Sequence, residues 1–517
     1  MYLLIQAVFF LSAMVSSLFF LHMLQLESYQ TPGYWRWLKD KADAAGLRVL
    51  PALLLLLLCA TAKGNWILWG AVVLFGLCAL LAIPRKRSKK PLRFTARMNR
   101  LLAALALLLG ALSFLVRLPV SDYYRIMAAG VAFVLLPFWV MLANWVTLPV
   151  QKAVNSHYIR DAQKKLRSHP NLLIIGVTGS YGKTSVKNIL ARLLSVHYST
   201  YATPESYNTP MGIVRSIREG LNATHDIFIC EMGARHVGDI KECCAIVQPH
   251  HGLITSIGPM HLETFKSMEN IVKTKFELIR ALPSEGFAFL NEDNEFIRDV
   301  KVKNRVPFAL TNANSPDLWA EDIRCSTDGT HFTVATADGR RQDFTTPLLG
   351  SHQVSNILAA IAVCDRLGIP LGRLCGAVRG LSPVPHRLHL IPGGRLNIID
   401  DAFNSNPAGA AAALEVLGSF EGLRIMVTPG MVELGLQQEA LNQEFGCQAA
   451  AACDYVALVG EKQSEPILRG LESAEYPTER VKVFTSLEDA MAWVRGLAAQ
   501  DTRPAFVLLE NDLPENY

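Results

Sequence analysis

Gly176-Val177-Thr178-Gly179-Ser180-Tyr181-Gly182-Lys183-Thr184-Ser185 decides how the rest of the chain is read. Residues 171–175 ahead of it form a short apolar run, and residues 186–194 behind it carry a helical pattern. Strand, glycine-rich loop and helix in this order turn backbone N–H groups toward phosphates and add the positive end of a helix dipole. The residues from Thr178 through Gly179, Ser180, Tyr181 and Gly182 to Ser185 are then the expected nucleotide cradle. Lys183 reaches the outer phosphates, and the Thr184 hydroxyl holds Mg²⁺. The strict G-x₄-G-K spacing is missed by one residue, because position 177 is Val. The strand before and the helix after carry the assignment against a chance glycine-rich turn.

Further along, short motifs follow one another in a fixed order. Ser206-Tyr207-Asn208-Thr209-Pro210-Met211-Gly212 precedes a helical stretch, and the run from Asp226 closes on Glu231 before Met232-Gly233-Ala234. Ile257-Gly258-Pro259-Met260-His261-Leu262-Glu263 comes next, then Lys273-Thr274-Lys275 and Leu290-Asn291-Glu292-Asp293. Gly350-Ser351-His352-Gln353-Val354-Ser355-Asn356, Asp400-Asp401-Ala402-Phe403-Asn404-Ser405-Asn406-Pro407 and Gly430-Met431-Val432-Glu433-Leu434-Gly435 complete the series. With the loop, they resemble the Mur ligases, the ATP-dependent ligases that build the peptide of the bacterial cell wall, and within them the MurF-type branch. The resemblance spans residues 171–510 or so.

It implies a P-loop central ATP-binding domain over 151–382 and a Rossmann-like C-terminal ligase domain over 383–517, using ATP and Mg²⁺. By the same resemblance Glu231 binds metal, His261 is a second metal ligand and Lys275 is a carbamylated lysine, with Lys273 two residues away as the competing register. Asn291, Asn356, Arg387 and Asp401 face the nucleotide or the domain junction. Asn208, Thr209, Asn404, Asn406 and Glu433 face the substrates, a cell-wall peptide precursor and an amine acceptor that is an amino acid or a dipeptide, with D-alanyl-D-alanine the default.

The residues support this chemistry on their own terms. Amide synthesis must turn a carboxylate hydroxyl into a good leaving group, and phosphoryl transfer from ATP does so by forming an acyl phosphate. That transfer needs an electrostatic clamp on the phosphates more than covalent help. Glu231 follows the apolar run Ile227-Phe228-Ile229-Cys230, at the end of a parallel strand where open α/β sheets place ligands. A carboxylate oxygen there suits Mg²⁺. Lys275 sits on a helical stretch, 269–282, where an unmodified lysine would simply be solvated. Apolar runs at 396–399, 423–427, 455–459, 481–484 and 505–509, with helical patterns between them, predict a Rossmann-type βα series. It lacks GxGxxG, so no dinucleotide is assigned.

The first 150 residues are of another kind. Apolar residues make up 50% of the chain and charged residues 18%, and the mean hydropathy is +0.23. Residues 1–150 hold 15 Lys and Arg against 4 Asp and Glu, while the remainder is mildly acidic. Long apolar runs separate the basic residues, which excludes a nucleic-acid-binding arm. Five stretches, 2–25, 47–62, 65–83, 101–118 and 124–148, predict an α-helical membrane domain of about five spans. Lys63-Gly64-Asn65 is the expected turn between the second and third. The loops richest in Lys and Arg, above all 85–100, place residues 150–517 in the cytoplasm of a multi-pass protein of a bacterial cell membrane. The 85–100 cluster is a topology signal first and a contact for anionic lipid second. The ten cysteines include no CxxC pair, which fits reduced thiols.

Two departures from the family matter. Only about 20 residues separate the last apolar stretch from the strand before the loop, too few for a folded nucleotide-sugar domain. The membrane domain takes that place, so the carboxylate substrate is either lipid-linked or nucleotide-linked. Near the end, Glu510-Asn511-Asp512 stands where the family has a Lys-Gly-Ser turn, inverting the charge beside the acceptor. Three readings stay open on sequence alone: a membrane-anchored amide ligase of wall or envelope precursors, a P-loop-energised transporter, and an inactive scaffold.

Overall fold

The computed structural model describes residues 2–61, 66–83, 91–114, 122–204, 207–311, 316–326, 328–382, 386–402, 405–432 and 434–511. The chain divides into two compact units, Met1–His157 and Tyr158–Tyr517.

The described residues of the first unit form helices and the short turns that join them, with no strand among them. Its helices are Tyr2–Leu26, Thr31–Asp40, Ala42–Thr61, Trp66–Ala82, Ala96–Ser113, Asp122–Val134 and Leu136–Arg167, the last of which runs on past the unit boundary. Their core centres on stacked and edge-on rings, with Phe75 5.2 Å from Phe133 and 5.6 Å from Phe9. The described residues of all five apolar stretches lie almost wholly in helices, yet among the described residues only three helices, at 3–26, 42–59 and 96–113, have the length and hydropathy of a span. Trp66–Ala82 has 17 residues and falls just short. The stretch expected as one span over 124–148 is instead two helices bent by 67° at Leu135, giving at most four spans by length and composition. Pro137 explains the break, because it has no N–H to donate back and its ring collides with the carbonyl four residues earlier. The Trp139 indole N–H donates to the Ala132 carbonyl at 3.0 Å and satisfies part of what the break exposes. The expected Lys63-Gly64-Asn65 turn and residues 85–90 of the basic loop lie outside the described residues.

The second unit contains two sheets. The first has β1 (Leu173–Thr178), β2 (Thr200–Ala202), β3 (Ile227–Glu231), β4 (His251–Ile254), β5 (Ala288–Asn291), β6 (Arg305–Ala309), β7 (Leu318–Ser326), β8 (Gly329–Thr336) and β9 (Arg341–Thr346). Their order is 2-3-1-4-5-6-7-8-9, parallel as far as β7 and antiparallel through β8 and β9. Strands such as Ile-Phe-Ile-Cys-Glu of β3 are buried along their whole length, as parallel strands covered by helices on both faces must be. One face packs on the helices Lys183–Leu194 and Ser351–Arg366, the other on Pro210–Gly220, Asp239–Val247 and Met268–Lys275. Chain order reverses around β1, which lies between β3 and β4, so the loop after β1 opens into the crevice where such sheets bind ligands.

The second sheet has β10 (His389–Ile391), β11 (Leu396–Asp401), β12 (Leu423–Thr428), β13 (Tyr455–Val459), β14 (Val481–Phe484) and β15 (Ala505–Glu510), in the order 10-11-15-12-13-14. All neighbours are parallel except β10 with β11. The helical stretch expected over 269–282 is two helices, Met268–Lys275 and Glu277–Arg280.

Candidate active site

The phosphate loop is stitched to the segment after β4. The Ser180 amide donates to the Ser256 carbonyl at 2.6 Å, and the Ser180 hydroxyl donates to the Gly258 carbonyl at 3.0 Å. The Tyr181 hydroxyl reaches the Pro259 carbonyl at 3.1 Å, and the Thr255 hydroxyl donates to the Tyr181 carbonyl. Gly182 stands at φ +77°, where a side chain would be strained, and a Cβ there would lie 2.7 Å from Asn356 Oδ1. Thr178 turns inward and donates to the Met232 carbonyl at 2.9 Å, so its hydroxyl shapes the loop. Lys183 opens the helix and folds back onto the Gly179 and Ser180 carbonyls at 2.9 and 2.8 Å. Burial, reinforced by Arg387 and opposed by Glu231, brings the Lys183 ammonium down to about 8.

Parallel pairing of β1 with β3 sets Glu231 opposite Val177, beside the loop. Glu231 Oε1 accepts from the Thr184 hydroxyl at 3.0 Å and from the Asn208 amide at 3.1 Å. Glu231 Oε2 lies 3.1 Å from Lys187 Nζ, an ion-pair contact rather than a directed hydrogen bond. Sequence reading passed over Lys187. Its spacing of four from Lys183 puts both on one helix face, and that was the available signal.

His261 sits at φ +55°; burial first, then the positive charges of Arg235, Lys183 and Lys275, keep its imidazole neutral, down to about 4. A neutral imidazole is the form that ligates a metal. Lys275 is 3% exposed, whereas Lys273 is exposed. Burial and then the charge on Lys183 bring Lys275 to about 7.

A cavity of about 560 Å³ extends from the loop, lined by Lys183, Asn291, Asn356, Arg387, Asp401 and Asn406 among others. That is nucleotide scale. Asn291 also braces β5, donating to the Thr255 carbonyl at 3.0 Å. Arg387 lies between two left-handed non-glycine residues, His386 at φ +60° and Leu388 at φ +44°. His386 is held by Asp400 at 2.8 Å, and the Leu388 amide donates to Asp401 at 3.1 Å. Asp401 pairs in register with Glu510 on the adjacent strand. Burial lifts Asp401 to about 6, and burial together with the neighbouring Asp401 carboxyl pushes Glu510 well above the carboxylate range, so Glu510 is the acid of the two. The Ser405 hydroxyl donates to Glu510 Oε1.

Not every expected substrate residue faces an open site. Thr209 caps the helix Pro210–Gly220, accepting from the Gly212 amide, and Asn406 caps Pro407–Gly418 while lining the cavity. Asn208 is engaged with Glu231. Asn404 and Glu433 lie outside the described residues.

The Mur ligase middle domain matches residues 177–364, and the Mur ligase, glutamate ligase domain matches residues 386–508. UDP-N-acetylmuramoyl-tripeptide–D-alanyl-D-alanine ligase of Escherichia coli (strain K12) is 33% identical over 320 residues, which cover 61% of this chain and 70% of that protein. The chain belongs to the Mur ligase family. The Bacillus subtilis (strain 168) ligase of the same name is 29% identical, over 63% of this chain and 71% of its own. MurF from Acinetobacter baumannii superposes with a TM-score of 0.62 at 26% identity, covering 69% of this chain and 77% of that one. MurF from Thermotoga maritima in complex with ADP gives 0.60 at 25%, covering 69% and 80%. As a Mur ligase the protein is an ATP-dependent, ADP-forming acid–amino-acid ligase.

Proposed function

We propose that this Mur ligase is a membrane-anchored, MurF-type enzyme that joins the carboxylate of a cell-wall peptide precursor to the amine of D-alanyl-D-alanine. The cluster of Thr184, Asn208 and Glu231 beside Lys183, opening on a nucleotide-sized cavity, carries this reading. Mg²⁺ fits the donors present, a hydroxyl and a carboxylate. Among the described residues no three His, Cys, Asp or Glu converge, which suits a cation completed by phosphate oxygens and water. Thr184 and Glu231 would hold it, with His261 as the neighbouring nitrogen ligand, and it would neutralise charge on the transferring phosphoryl group.

Lys183 exchanges its two loop carbonyls for the outer phosphates of ATP and steadies the charge that moves with the phosphoryl group. The substrate carboxylate takes that group as an acyl phosphate, and the amine then displaces phosphate to leave the amide. Lys275, held near 7, keeps much of its amine unprotonated at neutral pH and therefore able to take up CO₂ as a carbamate. That modification turns a buried cation into a carboxylate-like anion beside Lys183. Arg387 and Asp401 orient the nucleotide from the side of the second sheet.

The three span-length apolar helices of the first unit favour an anchor in a bacterial cell membrane with the ligase unit in the cytoplasm, and beside that anchor a lipid-linked form of the carboxylate substrate. The deciding assay combines detergent-solubilised protein, ATP, muramoyl tripeptide and D-alanyl-D-alanine, following ADP release and product mass. ADP release that requires both partners, with a product heavier by the dipeptide, is expected. ADP release without any amine would sink the ligase reading of this site, and a product carrying a different amine would replace the acceptor.

A further inference from the structure

We infer that Lys187 closes the metal site to free divalent cations, so that the cation enters only together with the phosphates of the nucleotide. This rests on the reading of Glu231 as the metal-holding carboxylate.

Lys187 stands one turn beyond Lys183 on the helix Lys183–Leu194 and is 1% exposed. Its ammonium lies 3.1 Å from Glu231 Oε2, and the carboxylate is equally buried. The other oxygen, Oε1, is taken by the Thr184 hydroxyl and the Asn208 amide. A buried ion pair of this kind gives little net stability, and an apolar pair of the same volume often does better. Stability alone therefore does not account for a lysine here, whereas the charge balance of the site does. Lys187 cancels Glu231. Lys183 and Arg387 repel one another across the same space, and Lys275 adds to the field at Lys183 and His261. Without nucleotide the Lys183, Arg387 and Lys187 cations outnumber the Glu231 and Asp401 carboxylates that face them, which disfavours a divalent cation. ATP brings several negative charges and reverses that sign. Lys187 is thus a positioning residue: it fixes Oε2 and leaves Oε1, beside Thr184, as the oxygen offered to the incoming metal.

The test measures Mn²⁺ bound to the full-length protein in detergent by equilibrium dialysis, in CO₂-depleted buffer so that Lys275 stays an amine. Wild type is compared with and without an ATP analogue that has a nitrogen bridge between its β and γ phosphates. Lys187→Met, Lys187→Gln and the double variant Lys187→Met/Glu231→Gln are compared without it. Wild type is expected to bind Mn²⁺ stoichiometrically only with the analogue. Each single Lys187 variant should bind Mn²⁺ at least about tenfold tighter than wild type without nucleotide, and the double variant should lose that gain. Glutamine removes the charge but stays polar at this buried position, so it serves if methionine leaves the protein unfolded. Equal Mn²⁺ affinity of wild type with and without the analogue, or a folded Lys187 variant with no gain, overturns the proposal. Unchanged Mn²⁺ binding by Glu231→Gln in the presence of the analogue instead removes Glu231 from the metal site, and the inference falls with that reading.

Discussion

Lys183 donates to two backbone carbonyls of the phosphate loop, so its charge is aimed at the loop. Lys183→Ala should lower kcat/KM by a factor equivalent to about 3 kcal/mol or more, the usual cost of removing a contact to the transferring charge. Near wild-type turnover of the purified variant would refute the clamp. The acid pair Asp401 and Glu510 makes a different prediction. In the fold both carboxyls keep protons that the unfolded chain releases above about pH 4, and Asp401 releases its own near 6. The native state therefore binds more protons than the unfolded one in this window, and stability falls as pH rises through it. Glu510→Gln removes the second acid without changing shape. It should raise stability at pH 8 by about 1–3 kcal/mol and flatten the dependence between pH 4 and 7. Thermal melts of both proteins at pH 5 and pH 8 read this out, and parallel pH profiles would count against the pair. Lys183, Thr184 and Glu231 were legible because motif spacing and strand ends carry them. The two pairings, Glu510 with Asp401 and Lys187 with Glu231, depend on strand register and helix facing, which only the assembled sheets set.

Among the elements, the parallel strands were the most readable, since burial on both faces leaves uninterrupted apolar runs. The expected runs at 455–459 and 481–484 match β13 and β14 end for end, and 505–509 falls one residue short of β15. The antiparallel β7–β9 meander went unread. Its strands alternate between buried and half-exposed positions and so show a weaker pattern, although Asp328-Gly329 and Asp338-Gly339 were available turn signals. The break at Leu135 was hidden for a related reason: hydropathy averages over Pro137, while backbone geometry does not. In the phosphate loop, Gly182→Ala must accept φ +77° and a Cβ 2.7 Å from Asn356 Oδ1. The left-handed backbone alone costs about 1 kcal/mol, so ATP affinity should drop about fivefold or more, as measured by titration with a fluorescent ATP analogue. Unaltered affinity would mean that the loop relaxes without touching the nucleotide.

For the whole molecule, the proposed membrane anchor has a consequence for the address of the substrate. Confinement to a bilayer raises the effective concentration of a lipid-linked peptide without any new contact. Full-length protein in lipid nanodiscs should therefore show a lower KM for the lipid-linked peptide than for its soluble form, with kcat little changed. Equal KM values would leave the helices as an anchor only. The ligase unit has its own whole-molecule property. Its cavity takes Lys183, Asn291 and Asn356 from the domain of the first sheet and Arg387, Asp401 and Asn406 from that of the second. Bound nucleotide is then a non-covalent cross-link between two cores that are otherwise separate hydrophobic clusters. In a calorimeter the empty enzyme would melt its two α/β cores in separate steps. Saturating nucleotide would raise the less stable step by RT ln(1 + [L]/Kd) and merge the pair into one cooperative transition.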